Sequence, residues 1–140
     1  MKNSVLEIPA DLNNLEVVRD FVREQVTDFA LSEEALEDLI LAVNEAATNV
    51  IVHGYRYKPG MIQIEIKGGL DDSLHVCIRD QAPLFDPTNI PPPDLSLPLE
   101  KRPFGGMGVH LIKTLTDEVK YCITSQGGNE LTLVKKQRED

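Results

Sequence analysis

The sequence predicts an α/β (α+β) two-layer sandwich, a mixed but mostly antiparallel sheet with helices on one face. Three observations carry that reading. Residues 61–67 and 74–79 alternate apolar and polar side chains, as strands with one buried face do. Residues 32–54 instead repeat their apolar positions at helical spacing. The elements then follow as strand, helix, helix, hairpin, loop, helix, hairpin. That order has no βαβ alternation and no internal repeat, which argues against a doubly wound parallel sheet.

Residues 5–9 read as a short edge strand stopped by Pro9. Residues 12–29 read as an amphipathic helix with Leu15, Val18, Phe21, Val22, Val26 and Phe29 on one face, capped by Asn13 or Asn14. In the next helix Ser32 is a suitable N-cap. Glu33 and Glu34 fall in its first turn, where the helix dipole favours acids. Leu36, Leu39, Ile40, Val43, Ala47, Val50 and Ile51 form its apolar stripe, and Gly54 ends it. Pro59-Gly60 marks a turn over residues 55–60. Ile62, Ile64 and Ile66 face one way in the following strand, as do Leu74, Val76 and Ile78 in its return partner, across a connection at 68–73.

Residues 81–106 hold seven of the nine prolines, a density that excludes a helix or a central strand. A loop this long inside a compact domain is a functional lid or a flexible insertion, and its place between two candidate ligand-contacting elements favours the lid. Residues 109–115 return to helix, with Val109, Ile112 and Leu115 inward. Residues 119–124 and 130–136 form a last hairpin turned at Gln126-Gly127-Gly128-Asn129.

At 140 residues the chain is expected to be a single domain, residues 1–140, long enough to bury roughly two-thirds of its unfolded surface. No apolar run approaches a membrane span and the N-terminus has no signal-like apolar core, so a cytoplasmic protein without membrane contact is expected. Cys77 and Cys122 each sit in an apolar strand-like run and read as buried free thiols. The formal charge of −9 argues against nucleic acid as a ligand. It leaves room for a phosphate ligand, because glycine-loop amides and Mg²⁺ bind phosphate without a basic surface.

Glu45 and Asn49 are four residues apart and share a helix face turned away from the apolar stripe, with Ala42 and Ala46 beside them. Such a pair alone is a solvated helix face. Downstream, however, stand Asp80 at a strand end and Gly105-Gly106-Met107-Gly108 at the opening of a helix. An acid, an amide, a strand-end carboxylate and a glycine loop before a helix are the parts of a nucleotide-phosphate site. His53 lies one turn after Asn49 and reads as a structural helix-end histidine; His75 and His110 are isolated and form no metal set.

The stretch Asn44-Glu45-Ala46-Ala47-Thr48-Asn49-Val50-Ile51-Val52-His53-Gly54-Tyr55 resembles the N box of the GHKL ATP-binding domains (gyrase, Hsp90, histidine kinase, MutL). The likeness is strongest to the anti-sigma-factor serine kinases and extends to Lys136. It implies the Bergerat ATP-binding fold, ATP and Mg²⁺ as cofactors, and a proline-rich ATP lid at about 81–106. It also implies residue roles. Glu45 matches the general base toward the attacking hydroxyl, and Asn49 the Mg²⁺ ligand. Asp80 matches the acceptor of the adenine amino group. Ala82 stands where the first glycine box has its glycine. Gly105, Gly106, Met107, Gly108 and Val109 match the second glycine box, whose amides cradle phosphates. Thr132 matches a strand residue that helps hold adenine. No motif assigns the cation at the γ-phosphate; Arg102 is the candidate, with Lys101 and Lys58 behind it.

The function so implied is a serine/threonine protein kinase and anti-sigma regulatory factor of a partner-switching system. Its substrate would be a STAS-domain anti-anti-sigma protein and its other partner a sigma factor, and a homodimer is compatible with the resemblance. The rival reading is a nucleotide-gated binding module that sequesters a signalling partner with little or no phosphotransfer.

Overall fold

The computed structural model describes residues 3–27, 29, 31–68, 72–89, 96 and 106–136. The elements are β1 (Ser4–Pro9), α1 (Leu15–Gln25), α2 (Glu33–Asn49), β2 (Met61–Gly68), β3 (Ser73–Asp80), α3 (Gly106–Leu115), β4 (Glu118–Ile123) and β5 (Asn129–Lys136). Short 3₁₀ turns lie at Leu12–Asn14 and Pro87–Asn89, and a π-helical turn, Val50–Gly54, extends α2. The strands form one sheet in the order β1-β2-β3-β5-β4. Every pairing among them is antiparallel, so the described sheet has no parallel component.

Register explains the core. Leu6, Ile64, Ile78, Leu131 and Tyr121 form one cross-sheet row, and Ile66, Val76, Leu133 and Val119 form the next. Ile62, Ile64, Ile66, Val76, Ile78 and Leu133 are at most 1% exposed. They pack against Val18 and Val22 of α1, Leu39, Ile40 and Val43 of α2, and Ile112 of α3. Each such side chain contributes roughly 1.5–3 kcal/mol on leaving water. The apolar face of α1 is therefore core, while Val17 on its other side stays exposed.

The opposite sheet face is polar. Arg79 donates to Glu130 at 2.6 Å, Gln63 at 2.7 Å and Glu65 at 2.9 Å, tying β2, β3 and β5 together. Cys77 is buried on this face as a free thiol. Cys122 is free but exposed, contrary to expectation, because edge strand β4 turns Tyr121 inward and Cys122 out.

The helix ends follow local chemistry. Ser32 accepts from the Ala35 N–H, as a capping serine should. Asp11 caps the 3₁₀ turn that leads into α1, and Asn14 holds the N-cap position of α1 without a side-chain cap bond. The Asp11 carboxylate accepts from the Asn13 N–H, while the Asn14 amide donates to the Pro9 carbonyl. That helix also ends at Gln25, short of Phe29. Beyond Asn49 the backbone widens, and the Tyr55 N–H bonds the Val50 carbonyl at 2.8 Å. Arg56 and Tyr57 then take positive φ values of 55° and 65°, closing the helical run. The Tyr55 ring lies against Gly60, where a Cβ would sit 2.2 Å from its nearest atom. Its hydroxyl donates to the Met61 carbonyl and accepts from the Gln81 N–H, both at 2.8 Å. One side chain thus pins the π turn to the start of β2 and the end of β3.

Ile64→Ala should lower unfolding free energy by about 2–5 kcal/mol in urea titrations. Val5→Ala, at an exposed position of β1, should stay within about 0.5 kcal/mol.

Candidate functional site

The inward row at one end of the sheet breaks the apolar pattern. It reads Ile8, Ile62, Asp80, Asn129 and Ile123 in register. Asp80 and Asn129 are each only 7% exposed. The π turn passes above this row and the first residues after β3 fold back over it. Together they enclose a narrow cavity of about 60 Å³, walled by Ala46, Asn49, Gly54, Asp80, Phe85 and Asn129.

Asp80 is held by two donors on one oxygen. The Ala82 N–H reaches Oδ1 at 2.9 Å and the Asn129 amide reaches the same atom at 2.8 Å. The structure gives Oδ2 no such donor among the described residues, which leaves it as an acceptor for an incoming N–H. Burial pushes the Asp80 carboxyl up from its ordinary value, and the bonds from Asn129 and Ala82 pull partly back. An ionised Asp80 is thus costly here until a further donor reaches it.

Ala82 departs from the glycine expected at its place, and its surroundings accommodate the methyl group. It is buried, and opposite stands Gly54, where an added Cβ would come 3.1 Å from the Ala82 Cβ. The pair keeps the π turn and the end of β3 close without a gap. Gly128 has the stricter role. A Cβ there would lie 2.3 Å from the Asp80 carbonyl, so only glycine lets β5 start beside the end of β3.

Asn49 lines the cavity, half-buried, from the last turn of α2. Glu45 lies one turn earlier on the same face and is also half-buried. α3 begins at Gly106 and packs on α2. Gly106, Met107, Gly108 and Val109 therefore form its first turn, whose N–H groups have no partner within the helix. Arg102, Lys101 and Gly105 lie outside the described residues, as does most of the expected lid. The described start of the lid, residues 81–89, is anchored: Asp86 accepts from the Thr88 N–H, and Lys113 of α3 donates to the Thr88 carbonyl at 3.0 Å. Lys58 is exposed in the turn after the π segment. Burial pushes the His53 imidazole down from its ordinary value, which favours the neutral ring at the helix end.

Thr132 needs a correction. It pairs with Cys77 and its hydroxyl bonds the Cys77 sulfur at 3.6 Å, on the polar face of the sheet. Strand alternation sends residues 129 and 131 to the cavity side and 132 away. Asn129 occupies the place beside Asp80, with Tyr121 behind it: the Tyr121 hydroxyl donates to Asn129 Oδ1 at 2.6 Å. Both were legible as inward positions of the last hairpin, once the register of β5 against β3 was known.

The donor set suits a hard, water-keeping ion. Among the described residues no three His, Cys, Asp or Glu side chains gather into a metal cage. One amide oxygen at the cavity wall, with a carboxylate a turn away, fits Mg²⁺, which takes most of its ligands from phosphates and water. No helix among the described residues is long and apolar enough to cross a membrane.

The Asp80 environment has a measurable pH signature. A carboxyl whose folded-state pKa is raised contributes stability that is full below its ordinary value of 3.8 and is lost as pH rises through the raised value. Asp80→Asn keeps an oxygen for Ala82 and Asn129 and removes the charge. Its denaturation midpoint should therefore rise relative to the native protein as pH increases from about 4 toward 7, in parallel titrations at each pH.

Comparison with known proteins agrees with this geometry. The family model described as "Histidine kinase-like ATPase domain" matches residues 8–135. The chain is 30% identical over 119 residues to "Serine-protein kinase RsbW" of Bacillus cereus (strain Q1), covering 82% of this chain and 74% of that protein. The same figures hold for the protein of that name from Bacillus thuringiensis subsp. konkukian (strain 97-27). Among solved structures, the RsbU and RsbW domains of Rv1364c from Mycobacterium tuberculosis align with a TM-score of 0.70 at 16% identity. That alignment covers 100% of this chain, which spans about a third (34%) of the larger one, and it speaks to the fold alone. The chain belongs to the histidine kinase-like ATPase domain family and is a relative of the RsbW serine-protein kinases.

Proposed function

We propose that this domain is an ATP- and Mg²⁺-dependent serine/threonine protein kinase that acts as an anti-sigma regulatory factor in a cytoplasmic partner-switching system. Its substrate is a STAS-domain anti-anti-sigma protein, and a sigma factor is its other partner. The observation that carries this reading is the buried Asp80, with one oxygen tied down and the other available, in a cavity whose other wall carries Asn49. Kinship with proteins named serine-protein kinases supports the reaction class.

The roles follow from position. Asp80 orients the nucleotide by accepting from the adenine amino group. The first-turn amides of α3, at Gly106 and Gly108, face the phosphates, where the helix dipole favours negative charge. Asn49 holds Mg²⁺ through its amide oxygen, and the ion supplies charge neutralisation across the phosphates. Glu45 takes the proton of the substrate hydroxyl as its oxygen bonds to the γ-phosphorus; the bond to the bridging oxygen breaks and ADP leaves. Arg102 is assigned to the γ-phosphate from its place before the glycine box. Most of the work is positioning and charge neutralisation, so few groups are needed.

Incubation with γ-labelled ATP, Mg²⁺ and a STAS-domain protein from the same source should label a serine or threonine of that protein. Glu45→Ala should retain nucleotide binding and lose transfer by at least about 100-fold. Persisting transfer would remove Glu45 from the general-base role, and binding without transfer in the native protein would favour a nucleotide-gated binding module. Asp80→Asn should weaken ATP binding severely in calorimetry. Thr132→Ala, which alters only the far face of the sheet, should leave ATP affinity within about twofold, below 0.5 kcal/mol.

A further inference from the structure

We propose that Asn129 is a positioning residue that presents Asp80 to the adenine amino group and couples that contact to the first residues of the lid. The proposal rests on the adenine-nucleotide reading above. It starts from the hydrogen-bond capacity of one side chain. A primary amide offers two N–H donors and an oxygen with two lone pairs. Asn129 uses all of them. Its Nδ2 donates to Asp80 Oδ1 at 2.8 Å and toward the Ala82 and Pro83 carbonyls at 3.2 and 3.3 Å. Its Oδ1 accepts from the Tyr121 hydroxyl at 2.6 Å and the Phe85 N–H at 3.0 Å.

That network admits one orientation of the amide. Turned over, it would set its oxygen against the Asp80 carboxylate and its N–H groups against the Phe85 N–H. Asn129 therefore holds Asp80 by one oxygen and keeps the other as an acceptor. A ligand presenting N–H there is bound by the ionised carboxylate, whereas one presenting a carbonyl oxygen requires Asp80 to hold a proton and forgoes the charge-assisted bond. Tyr121 is suited to the hinge side of this arrangement. Burial pushes its hydroxyl up from its ordinary value, the nearby Phe85 N–H pulls partly back, and Asp86 and Asp80 add to the rise, so it stays a neutral donor.

The cavity supplies the second half. At about 60 Å³ it is far smaller than the roughly 300–1,000 Å³ of sites that enclose a small-molecule ligand. Its other walls are the sheet end and the helix α2 with its π turn, both continuous with the core. Phe85 and the prolines beside it form the wall with the least burial; the Phe85 residue is 53% exposed. Entry of a purine displaces this wall and draws the Phe85 N–H from Asn129 Oδ1. The Tyr121 hydroxyl stays and keeps the amide facing Asp80. The two bonds on one oxygen thus divide the work, one fixing the recognition group and one reporting its occupancy to the lid.

Calorimetry with ATP and with inosine triphosphate separates this role from a structural one, because the latter nucleotide carries a carbonyl oxygen where adenine has its amino group. Asn129→Ala should lower ATP affinity about tenfold or more and leave inosine triphosphate affinity within about twofold. Tyr121→Phe, which keeps the ring, should reduce the same preference severalfold. Equal losses for both nucleotides, or an unchanged preference in either variant, would overturn the assignment. The lid half is read with Phe85→Trp, which introduces a single tryptophan into a chain that has none. Its emission should shift when ATP is added. In the Asn129→Ala background the nucleotide-free emission should already match the ATP-saturated signal, and an unchanged nucleotide-free emission would overturn the coupling. A native protein that does not prefer ATP over inosine triphosphate would overturn the adenine reading itself, and this role with it.

Discussion

The antiparallel pairing of β3 with β5 is the constraint on which the site depends. It places Asp80 opposite Asn129 in the last inward row of the sheet. The rows below are apolar and buried, so they hold the register: a one-residue slip would turn Ile78 and Leu133 to the polar face. The outward Arg79 reinforces it by spanning to Glu65 on one neighbour and Glu130 on the other. A buried carboxylate is thereby given its partner by a core that would form for hydrophobic reasons alone. The polar pair uses a position that the apolar rows have already made rigid.

The other wall of the site comes from the end of α2. A regular helix would carry Gly54 around the axis at 100° per residue; the π turn widens this last segment. Its result is a close approach of Gly54 to Ala82, which the small size of both residues permits. Tyr55 then fastens the turn to both β2 and β3 through one hydroxyl. Asn49 thus faces Asp80 across the cavity from an element rooted in the core through Leu39, Ile40 and Val43. An alanine fits at position 82 because residue 54 is a glycine, and the two positions form a single packing unit.

Much of this was visible in the chain. The paired isoleucine alternation at 62, 64 and 66, the stripe on α2 and the Ser32 cap all rest on short-range periodicity or local hydrogen bonding, and the structure carries each of them. Asp80 stands out at the end of an apolar-alternating strand, and Asn49 shares with Glu45 a helix face turned away from the apolar stripe, beside Ala42 and Ala46. Cys122 and Thr132 differ from the sequence expectation for one reason: apolar surroundings and motif spacing do not set strand phase, and each side chain faces the direction that phase dictates. Phase in an edge or return strand is set by pairing with β3, which is not a local property. Asn14 stands at the N-cap position of α1 as its type suggests, while the side-chain cap comes from Asp11 one 3₁₀ turn earlier, where the chain leaves β1.

By itself, the sequence determined the two layers, the order of the elements and the family. Periodicity and composition suffice for these because burying apolar faces is a local demand repeated along the chain. Only the tertiary structure decided that Asn129, with Tyr121 and Phe85, surrounds Asp80, and that Thr132 does not. Asn129 lies 44 positions from Phe85 and 49 from Asp80, on a strand whose place in the sheet differs from its place in the chain. Hydrogen bonds of that kind exist only once the sheet has closed its register, because their energy alone does not overcome the entropy of bringing distant residues together.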